Sequence, residues 1–579
     1  MSTFLHKFSN LLTVKAVTII FLVIGLSIYG ISLANPFIAD DIPQILNNPL
    51  VHDLQYIPAI FSSSTFFSIQ SGGSTGIYYR PLMMAIFNLF YAFFGASPFS
   101  FHLFQVSLHI ANTIFIFLLL KKFLAPTLAL ILAVIFLIHP LNAESVIYIS
   151  NLQEVLYTFF GLTALYILQF KKFEFRNQLT ITLLLFLSLL SKETGLLFSG
   201  IAVLWSWIFA RKLLKPISII ACVSVILYAF FRFGLAHVYF GHQEISPIVK
   251  LTLSQRLVNV PKILSYYLTQ FVFPKDFALS QQWTIHSLNL TDFFGPVFFL
   301  TLLAGLYLYF YRKIGLPERK NYLFFGLWSI LGMLVVSQIY PLDMTVADRW
   351  FYFPFIGLLG VLGVIAEKYQ QYLSRKKEIA TLVIIFIFIL LAGRTIVRNF
   401  DWRDPIILYS HDTKINSNSY TLENEYGFEL ATRNRFAEAE VHFLKSIRLV
   451  PDWYTNWSNL GVLYFKEGNT IKAKEYLKKA IQNGDDISNL YLTTIYIFYE
   501  HDYVSAERIL GSLLKQFPNN PLLWQQLALA EYGLGNKPKA LEAANNAYSL
   551  LPDQKNYNLL YNLTNNVPID LNPTQSSAK

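Results

Sequence analysis

Charged residues are scarce in this chain: they make up 14% of its 579 residues, whereas 54% are hydrophobic. A soluble globular domain carries roughly a quarter charged residues, so the composition excludes an ordinary soluble globule. Cysteine is nearly absent, and the single copy, Cys222, lies inside an apolar run. We therefore expect neither a disulfide framework nor a cysteine-based metal site.

Aromatic residues are abundant, with 52 Phe and 34 Tyr, as is typical of lipid-facing and interfacial helices. The formal charge of +10 does not indicate a nucleic-acid partner, because Lys and Arg cluster between apolar stretches, where they act as topology signals. The first apolar stretch follows Lys7 and Lys15 and continues to Ala34 without a small-residue cleavage site. We expect an uncleaved signal anchor there and a chain embedded in membrane lipids.

Apolar segments of about 20 residues predict membrane-spanning helices. We predict about eleven spans, near 14–34, 102–120, 124–139, 147–170, 178–191, 194–210, 217–237, 293–311, 321–340, 351–367 and 379–396. The basic connections all fall on one side: Lys121-Lys122, Lys171-Lys172-Arg176, Arg211-Lys212-Lys215, Arg312 to Lys320, and Lys368 to Lys377. By the positive-inside rule that side is cytoplasmic, so an odd number of spans places the C-terminus outside.

Two long segments lie on the outer side in this topology, 35–101 and 237–292. Each contains an apolar part, Ile77 to Phe94 and Leu257 to Phe273, the second broken by Pro261. Because the charge alternation leaves no room for these parts to span, we expect amphipathic helices lying along the outer interface.

The last third of the chain carries a repeat. Trp457, Leu460, Gly461 and Tyr464 reproduce the W-x2-L-G-x2-Y start of a 34-residue tetratricopeptide (TPR) unit. Small residues and prolines follow in phase through the neighbouring units: Gly427, Ala439, Pro451, Ala473, Ala480, Ala506, Pro518, Ala540, Ala547 and Pro552. About four repeats are predicted, and such arrays usually bind peptides or protein surfaces.

The predicted fold class is therefore all-α. A polytopic transmembrane bundle fills residues 1–400, an α-solenoid of TPR units fills 420–555, and a disordered tail covers 566–579.

Asp40 and Asp41 follow the first predicted span directly. Burial and like charge would raise the pKa of one of these carboxyls, which suits a general base. The alternative is a solvated cap at the exit of the helix, and the position alone leaves both interpretations open.

Two more motifs belong to the same predicted face. Arg80, in Tyr78-Tyr79-Arg80-Pro81, could hold a phosphate through bidentate hydrogen bonds, or it could be a snorkelling interfacial arginine. Glu144 is the only acid of a short outside turn that begins with His139, and an acid there is a functional candidate. His139 itself fits a capping or packing role better than that of a metal ligand.

Lys192 and Glu193 interrupt apolar sequence at another outside turn. Lys192 could be an anion ligand, or the two residues could form a structural pair at the interface. A fourth outside turn carries Asp348, Arg349 and Tyr352. Arg349 and Tyr352 could bind phosphate or sugar there, or they could anchor the helix in an aromatic belt. Acids and bases from sequence-distant turns thus meet at one membrane face. A reaction that needs a carboxylate base and a phosphate leaving group would use such a site.

These motifs, with Lys-Glu-Thr-Gly and Ala-Asp-Arg-Trp-Phe-Tyr-Phe-Pro, resemble the transmembrane-and-TPR O-mannosyltransferases, which are glycosyltransferases of the GT-C fold. The resemblance covers the whole chain and departs at Asp348-Arg349, where the family usually has Glu-Arg. The array is also shorter than in animal members, which puts the animal acceptor class in doubt and favours a bacterial member in the inner or plasma membrane.

The resemblance implies inverting transfer of a sugar from a polyprenyl-phosphate donor to an acceptor hydroxyl, such as a protein Ser or Thr, outside the cytoplasm. Asp40 or Asp41 would remove the acceptor proton, since inversion places the base opposite the leaving group. Arg80, Lys192 and Arg349 would stabilise the phosphate. Glu144 would orient the acceptor or, with Asp41, hold a divalent cation, because the family is divided on metal use.

Two alternatives stay open. An envelope oligosaccharide ligase or polymerase is also polytopic and can carry TPR units, but its key basic residues typically lie in a large late outside loop. A non-enzymatic assembly protein would use the array for docking, but a single span would suffice as its anchor.

Overall fold

The computed structural model describes residues 13–68, 73–241, 245–285, 287–370 and 376–572. In these residues the regular secondary structure is helical apart from two short paired strands, β1 (Phe66–Ser68) and β2 (Gly73–Thr75), and an isolated bridge between Gln281 and Val346, so the predicted all-α class is confirmed. Two compact units are present, Met1–Phe66 with Gly76–Asn418, and Phe67–Thr75 with Ser419–Lys579.

The first unit is a bundle of apolar helices. They are α1 (Val14–Tyr29), α2 (Ile57–Phe61), α3 (Pro81–Phe94), α4 (Pro98–Lys121), α5 (Pro126–Ile138), α6 (Ala143–Ile147), α7 (Leu152–Phe170), α8 (Phe175–Ser191), α9 (Leu196–Phe209), α10 (Leu214–Ala229), α11 (Leu253–Val272), α12 (Gly295–Lys313), α13 (Leu316–Val335), α14 (Tyr352–Lys368), α15 (Lys377–Asp401) and α16 (Pro405–Ile415).

Short 3₁₀ and π turns extend or link these helices. The 3₁₀ turns are Gly30–Ala34, Pro49–Val51, Leu54–Tyr56, Pro140–Asn142, Ile149–Asn151, Glu193–Gly195, Arg211–Leu213 and Asp348–Phe351, and the π turns of this unit are Ile42–Leu46, Phe230–Leu235 and Leu290–Phe294. Several of them carry the residues singled out above, so the candidate site lies where regular helices end.

Six helices of the described part are long and apolar enough to cross a membrane: Val14–Ala34, Pro98–Lys121, Arg211–Leu235, Leu290–Lys313, Asp348–Lys368 and Glu378–Asp401. A seventh is possible if Pro126–Ile138 and Pro140–Ile147, which meet at a bend of 51°, form one broken span. These are the helices of a membrane protein, but the predicted count of about eleven spans is not supported.

The difference has physical reasons. The predicted spans at 124–139 and 178–191 lie on helices of only 13 and 17 residues, short of the roughly 20 that a bilayer needs. The one at 194–210 also lies on a shorter apolar helix. The segment 147–170 is interrupted before α7, whose first turn carries Glu154. The segment 321–340 extends beyond α13, which ends at Val335 and carries Glu318, Arg319 and Lys320 near its start.

The two helices expected to lie along the interface, α3 and α11, are not among those six spans. The break expected at Pro261 is absent, because α11 continues through that residue. A capping box starts this helix: the Thr252 hydroxyl accepts from the Gln255 backbone while the Gln255 side chain accepts from the Thr252 backbone.

The second unit consists of successive helix pairs of the TPR kind. They are α17 (Tyr420–Thr432), α18 (Phe436–Leu449), α19 (Tyr454–Lys466), α20 (Thr470–Gln482), α21 (Ser488–Ile495) with the π turn Tyr496–Glu500, α22 (Tyr503–Gln516), α23 (Pro521–Gly533), α24 (Lys537–Leu550) and α25 (Gln554–Thr564). A Cβ atom on Gly461 would lie 2.8 Å from the Leu477 side chain, so α19 and α20 approach closely only with glycine there. Residues 573–579 of the predicted disordered tail lie outside the described residues.

Candidate functional site

The Asp40-Asp41 turn follows the 3₁₀ extension of α1. Ala39, just before it, has a φ of 51°, in the left-handed region that residues with a Cβ atom rarely adopt. Such backbone strain persists only where the surrounding structure holds it, and it concentrates at functional sites. The turn gives the two neighbouring carboxylates different surroundings.

Asp41 points into the protein and is 2% exposed. One carboxylate oxygen accepts from the Ser150 backbone nitrogen at 2.7 Å and from the Ser150 hydroxyl at 2.6 Å. The other accepts from the Ile38 backbone nitrogen at 3.0 Å. Burial raises the pKa of Asp41 to about 7, although these hydrogen bonds oppose the shift. This carboxyl therefore ties the turn to the segment around Ser150.

Asp40 is exposed, in contrast to its neighbour. Its backbone N–H donates to the Tyr148 hydroxyl at 2.8 Å. Desolvation by the surrounding protein raises the pKa of the Asp40 carboxyl above its ordinary 3.8. The charges of Arg349 and Arg80 and a hydrogen bond from Tyr148 lower this pKa and so oppose the shift. Asp40 thus offers an accessible carboxylate with two cations nearby.

Glu144 and Arg349 form a buried ion pair. A Glu144 oxygen also accepts from the Arg349 backbone nitrogen at 3.2 Å, so the carboxylate binds both the side chain and the main chain of Arg349. Asn151 lies 3.4 Å from Glu144 through its side-chain amide. The pair joins the short turn after α5 to the start of α14, two parts of the sequence about 200 residues apart.

Lys192 forms a second buried ion pair, with Glu154. Burial lowers the pKa of Lys192, and the positive charges of Arg80 and Arg349 lower it further, while Glu154 raises it. Sequence reasoning missed Glu154, because it lies inside the apolar segment 147–170, which predicts a membrane span. The signal was present: Glu154 is an acid in the first turn of an apolar helix.

Glu193 lies between two arginines. It accepts from the Arg232 guanidinium at 2.9 Å, and its other oxygen is 3.8 Å from Nε of Arg80. Arg232 was also missed, because it lies inside the apolar run 217–237. It is fully engaged, donating to the Val238 and Ile77 carbonyls and the Tyr228 hydroxyl.

The Arg80 guanidinium makes fewer hydrogen bonds than that of Arg232. Its Nε has no hydrogen-bond partner in the described part of the chain, and its guanidinium stacks 4.5 Å over the Tyr78 ring. The Tyr78 hydroxyl in turn donates to Asp343. Arg80 therefore has hydrogen-bonding capacity to spare, which an anion could use.

Three of the predicted site residues have other neighbours. His139 accepts from the Leu141 backbone through Nδ1 and donates to the Phe271 carbonyl through Nε2, so it caps the turn after α5. The Tyr352 hydroxyl lies deep in the bundle against His109 and Asn112. Asp348 accepts from the Tyr266 hydroxyl at 2.6 Å.

A metal site does not fit the residues present. Among the residues that the structure describes, no group of three or more His, Cys, Asp and Glu side chains could hold a metal ion. Asp41 and Glu144, the two carboxylates predicted as possible ligands, are engaged with Ser150 and Ile38 and with Arg349.

Ion pairs and charge interactions thus link six of the predicted site residues into one cluster: Asp40, Arg80, Glu144, Lys192, Glu193 and Arg349. Asp41 adjoins this cluster through Asp40 and is itself bonded to Ser150. Glu144, Glu154 and Glu193 each pair with a cation, and Glu193 serves two. The cluster can hold an anion beside an accessible carboxylate.

Comparisons with known proteins bear on the class of protein to which this chain is similar. No protein-family model matches the chain. It is 24% identical over 450 residues to a protein O-mannosyl-transferase of Caenorhabditis elegans, covering 75% of this chain and 63% of that protein. It is 23% identical over 611 residues to protein O-mannosyl-transferase TMTC3 of Mus musculus, covering 95% of this chain and 65% of the relative. The chain therefore spans less than two thirds of the length of these relatives.

Among solved structures, the TPR protein YrrB, described as having an unusual peptide-binding site, matches 34% of this chain and 99% of its own length. The sequence identity is 19% and the TM-score 0.25. The relatives named above are animal proteins, so a bacterial host stays a prediction.

Proposed function

We propose that this chain is an integral-membrane O-mannosyltransferase that moves one sugar from a polyprenyl-phosphate donor to an acceptor hydroxyl, with Asp40 as the general base. The observation that carries the proposal is the contrast between two adjacent acids. Asp41 is buried and bonded to Ser150 and Ile38, whereas Asp40 is exposed, and the charges of Arg349 and Arg80 act on its carboxylate. The similarity to protein O-mannosyl-transferases supports the reaction class.

The reaction is a single displacement. The acceptor hydroxyl gives its proton to the Asp40 carboxylate as its oxygen attacks the anomeric carbon. The bond between that carbon and the phosphate oxygen breaks, and its electron pair leaves on the lipid phosphate. One displacement inverts the anomeric centre, and the raised pKa of Asp40 makes it a better proton acceptor than an ordinary aspartate.

The cations stabilise the leaving phosphate. Charge grows on the phosphate oxygens as the sugar departs, and fixed positive groups stabilise that charge more than they stabilise the ground state. Arg80 has an unused Nε, while Lys192 and Arg349 are fixed by Glu154 and Glu144. We assign Arg80 as the most direct phosphate ligand, because its guanidinium is the least committed of the three.

We place the site on the non-cytoplasmic face of a membrane. The opposite ends of α4, α7 and α12 carry or precede Lys121-Lys122, Lys171-Lys172 and Arg312-Lys313, as the positive-inside rule requires of the cytoplasmic side. The TPR pairs would present or dock a protein acceptor. A single assay tests the donor and the acceptor.

The test uses the full chain purified in detergent. It is incubated with polyprenyl-phosphate mannose labelled in the sugar and with a peptide rich in Ser and Thr. The proposal expects labelled peptide carrying one hexose per site with inverted anomeric configuration. Transfer of a whole oligosaccharide, when a lipid-linked oligosaccharide replaces this donor, would favour the ligase alternative. Protein binding without turnover or prenyl-phosphate binding would favour the assembly alternative.

A further inference from the structure

Helix α4 carries a stripe of polar side chains through its apolar sequence. His102, Gln105, His109 and Asn112 are spaced by three, four and three residues, so they share one face. All four are buried, in a helix long and apolar enough to cross a membrane. Polar groups at that depth need partners and are seldom kept without a role.

Gln105 has the most specific partners of the four. Its side-chain amide donates to the Ser145 carbonyl at 2.8 Å and to the Tyr148 carbonyl at 2.7 Å, and the side chain is 0% exposed. Its Oε1 has no hydrogen-bond partner among the described residues. The Gln105 side chain therefore acts as a hydrogen-bond donor through both N–H groups of its amide.

Those carbonyls lie where the backbone is broken. Helix α5 ends at Ile138, the next helical segment, Pro140–Ile147, is bent by 51° from it, and α6 ends at Ile147. The last carbonyls of a helix have no intrahelical donor. Gln105 supplies donors to two carbonyls there, and His109 donates through Nε2 to the Leu137 carbonyl at 3.1 Å.

The segment held in this way carries the supports of the candidate site. The Tyr148 hydroxyl accepts from the Asp40 backbone, Ser150 donates to Asp41, and Glu144 holds Arg349. We propose that Gln105 is a positioning residue for the proposed transfer: by fixing the Ser145 and Tyr148 carbonyls, it sets the Asp40 carboxylate against the Arg349 guanidinium. This inference rests on the proposed function.

The kinetic test compares Gln105→Met, which keeps the length of the side chain but removes both donors, with Thr113→Val. Thr113 is an equally buried residue of the same helix whose hydroxyl bonds only to the His109 carbonyl of its own turn. Gln105→Met should lower kcat by about ten- to a hundredfold with little change in KM for the donor, as expected when reacting groups are misplaced. Thr113→Val should keep both constants.

Tyr148→Phe provides a second route to the same contact, because it removes the hydroxyl that accepts from Asp40. The combined Gln105→Met/Tyr148→Phe variant should lose little more than the worse single variant, since both act on one segment. Multiplicative losses, or a Gln105→Met variant with the wild-type kcat, would overturn the inference.

A measurement without turnover separates this inference from the proposed function. Asp40 is exposed, so a water-soluble carbodiimide should label it, and peptide mass spectrometry gives the labelling rate. Gln105→Met should change that rate at Asp40 but not at the exposed Glu438 of α18. An unchanged Asp40 rate overturns the positioning role. A wild-type protein that transfers no sugar contradicts the proposed function, and labelling then decides the positioning role alone.

Discussion

Ser150 donates two hydrogen bonds to the Asp41 carboxylate, from its backbone nitrogen at 2.7 Å and from its hydroxyl at 2.6 Å. The carboxylate of Asp40, one residue earlier, is exposed instead. Two adjacent acids of the same type therefore have different surroundings, and the proposed function gives them separate roles, Asp41 in holding the turn and Asp40 as the base.

Replacing Asp41 by Asn should damage stability rather than chemistry. The amide NH2 would have to face the Ser150 or the Ile38 donors, and one lost buried hydrogen bond costs about 1–3 kcal/mol. Thermal unfolding in detergent should show a lower midpoint, while the folded fraction keeps much of its kcat. Wild-type stability combined with abolished transfer would instead assign the chemistry to Asp41.

The same residue predicts a pH dependence of stability. Burial raises the pKa of Asp41 from 3.8 to about 7 in the folded chain, so the folded state binds this proton more tightly than the unfolded state. The resulting stabilisation is complete below the unfolded pKa and is lost as pH rises toward about 7. The wild type should therefore lose its advantage in unfolding midpoint over Asp41→Asn as the pH rises from about 4 to about 8. A difference that grows with rising pH would contradict it.

The buried pair of Lys192 and Glu154 predicts a separation of stability from activity. Lys192→Met leaves a buried carboxylate without its cation, which costs about 3–5 kcal/mol. Adding Glu154→Gln removes that charge and should restore most of the unfolding midpoint. Transfer should stay low in both variants, because the cation beside the phosphate is missing; full activity in the stable double variant would exclude Lys192 from the site.

Much of the architecture could be predicted from the sequence because its signals are local. The TPR phase rests on residues such as Gly461 and Ala473, whose small size is required wherever paired helices touch. The predicted count of about eleven spans is not supported, because hydropathy alone does not show where a helix ends: α8, for example, has only 17 residues.

The candidate site was only partly predictable, for a different reason. Charges at helix ends, such as Arg80 and Glu144, stand out in the sequence. Glu154 and Arg232 lie inside apolar runs, and their pairing with Lys192 and Glu193 is visible only in the three-dimensional contacts. The separate surroundings of Asp40 and Asp41 arise from Ser150, more than 100 residues away.

The two arginines around Glu193 should respond differently to substitution. Arg80→Gln should lower kcat by about 10²–10³-fold, the usual effect of removing a group that stabilises developing charge, with little change in unfolding midpoint. Arg232→Gln is the matched control. It removes the hydrogen bonds to Val238, Ile77 and Tyr228 and should lower the midpoint. The reverse pattern would make Arg80 the structural residue and Arg232 the phosphate ligand.

The most direct test of the account measures sugar transfer by Asp40→Asn from labelled polyprenyl-phosphate mannose to a Ser/Thr peptide. A general base contributes about 10²–10⁴-fold, so kcat should fall by at least about a hundredfold. Prenyl-phosphate binding and the unfolding midpoint should match the wild type, because Asp40 is exposed and Asp41 holds the turn. Transfer by Asp40→Asn within about twofold of the wild-type rate would contradict the assignment of Asp40 as the base.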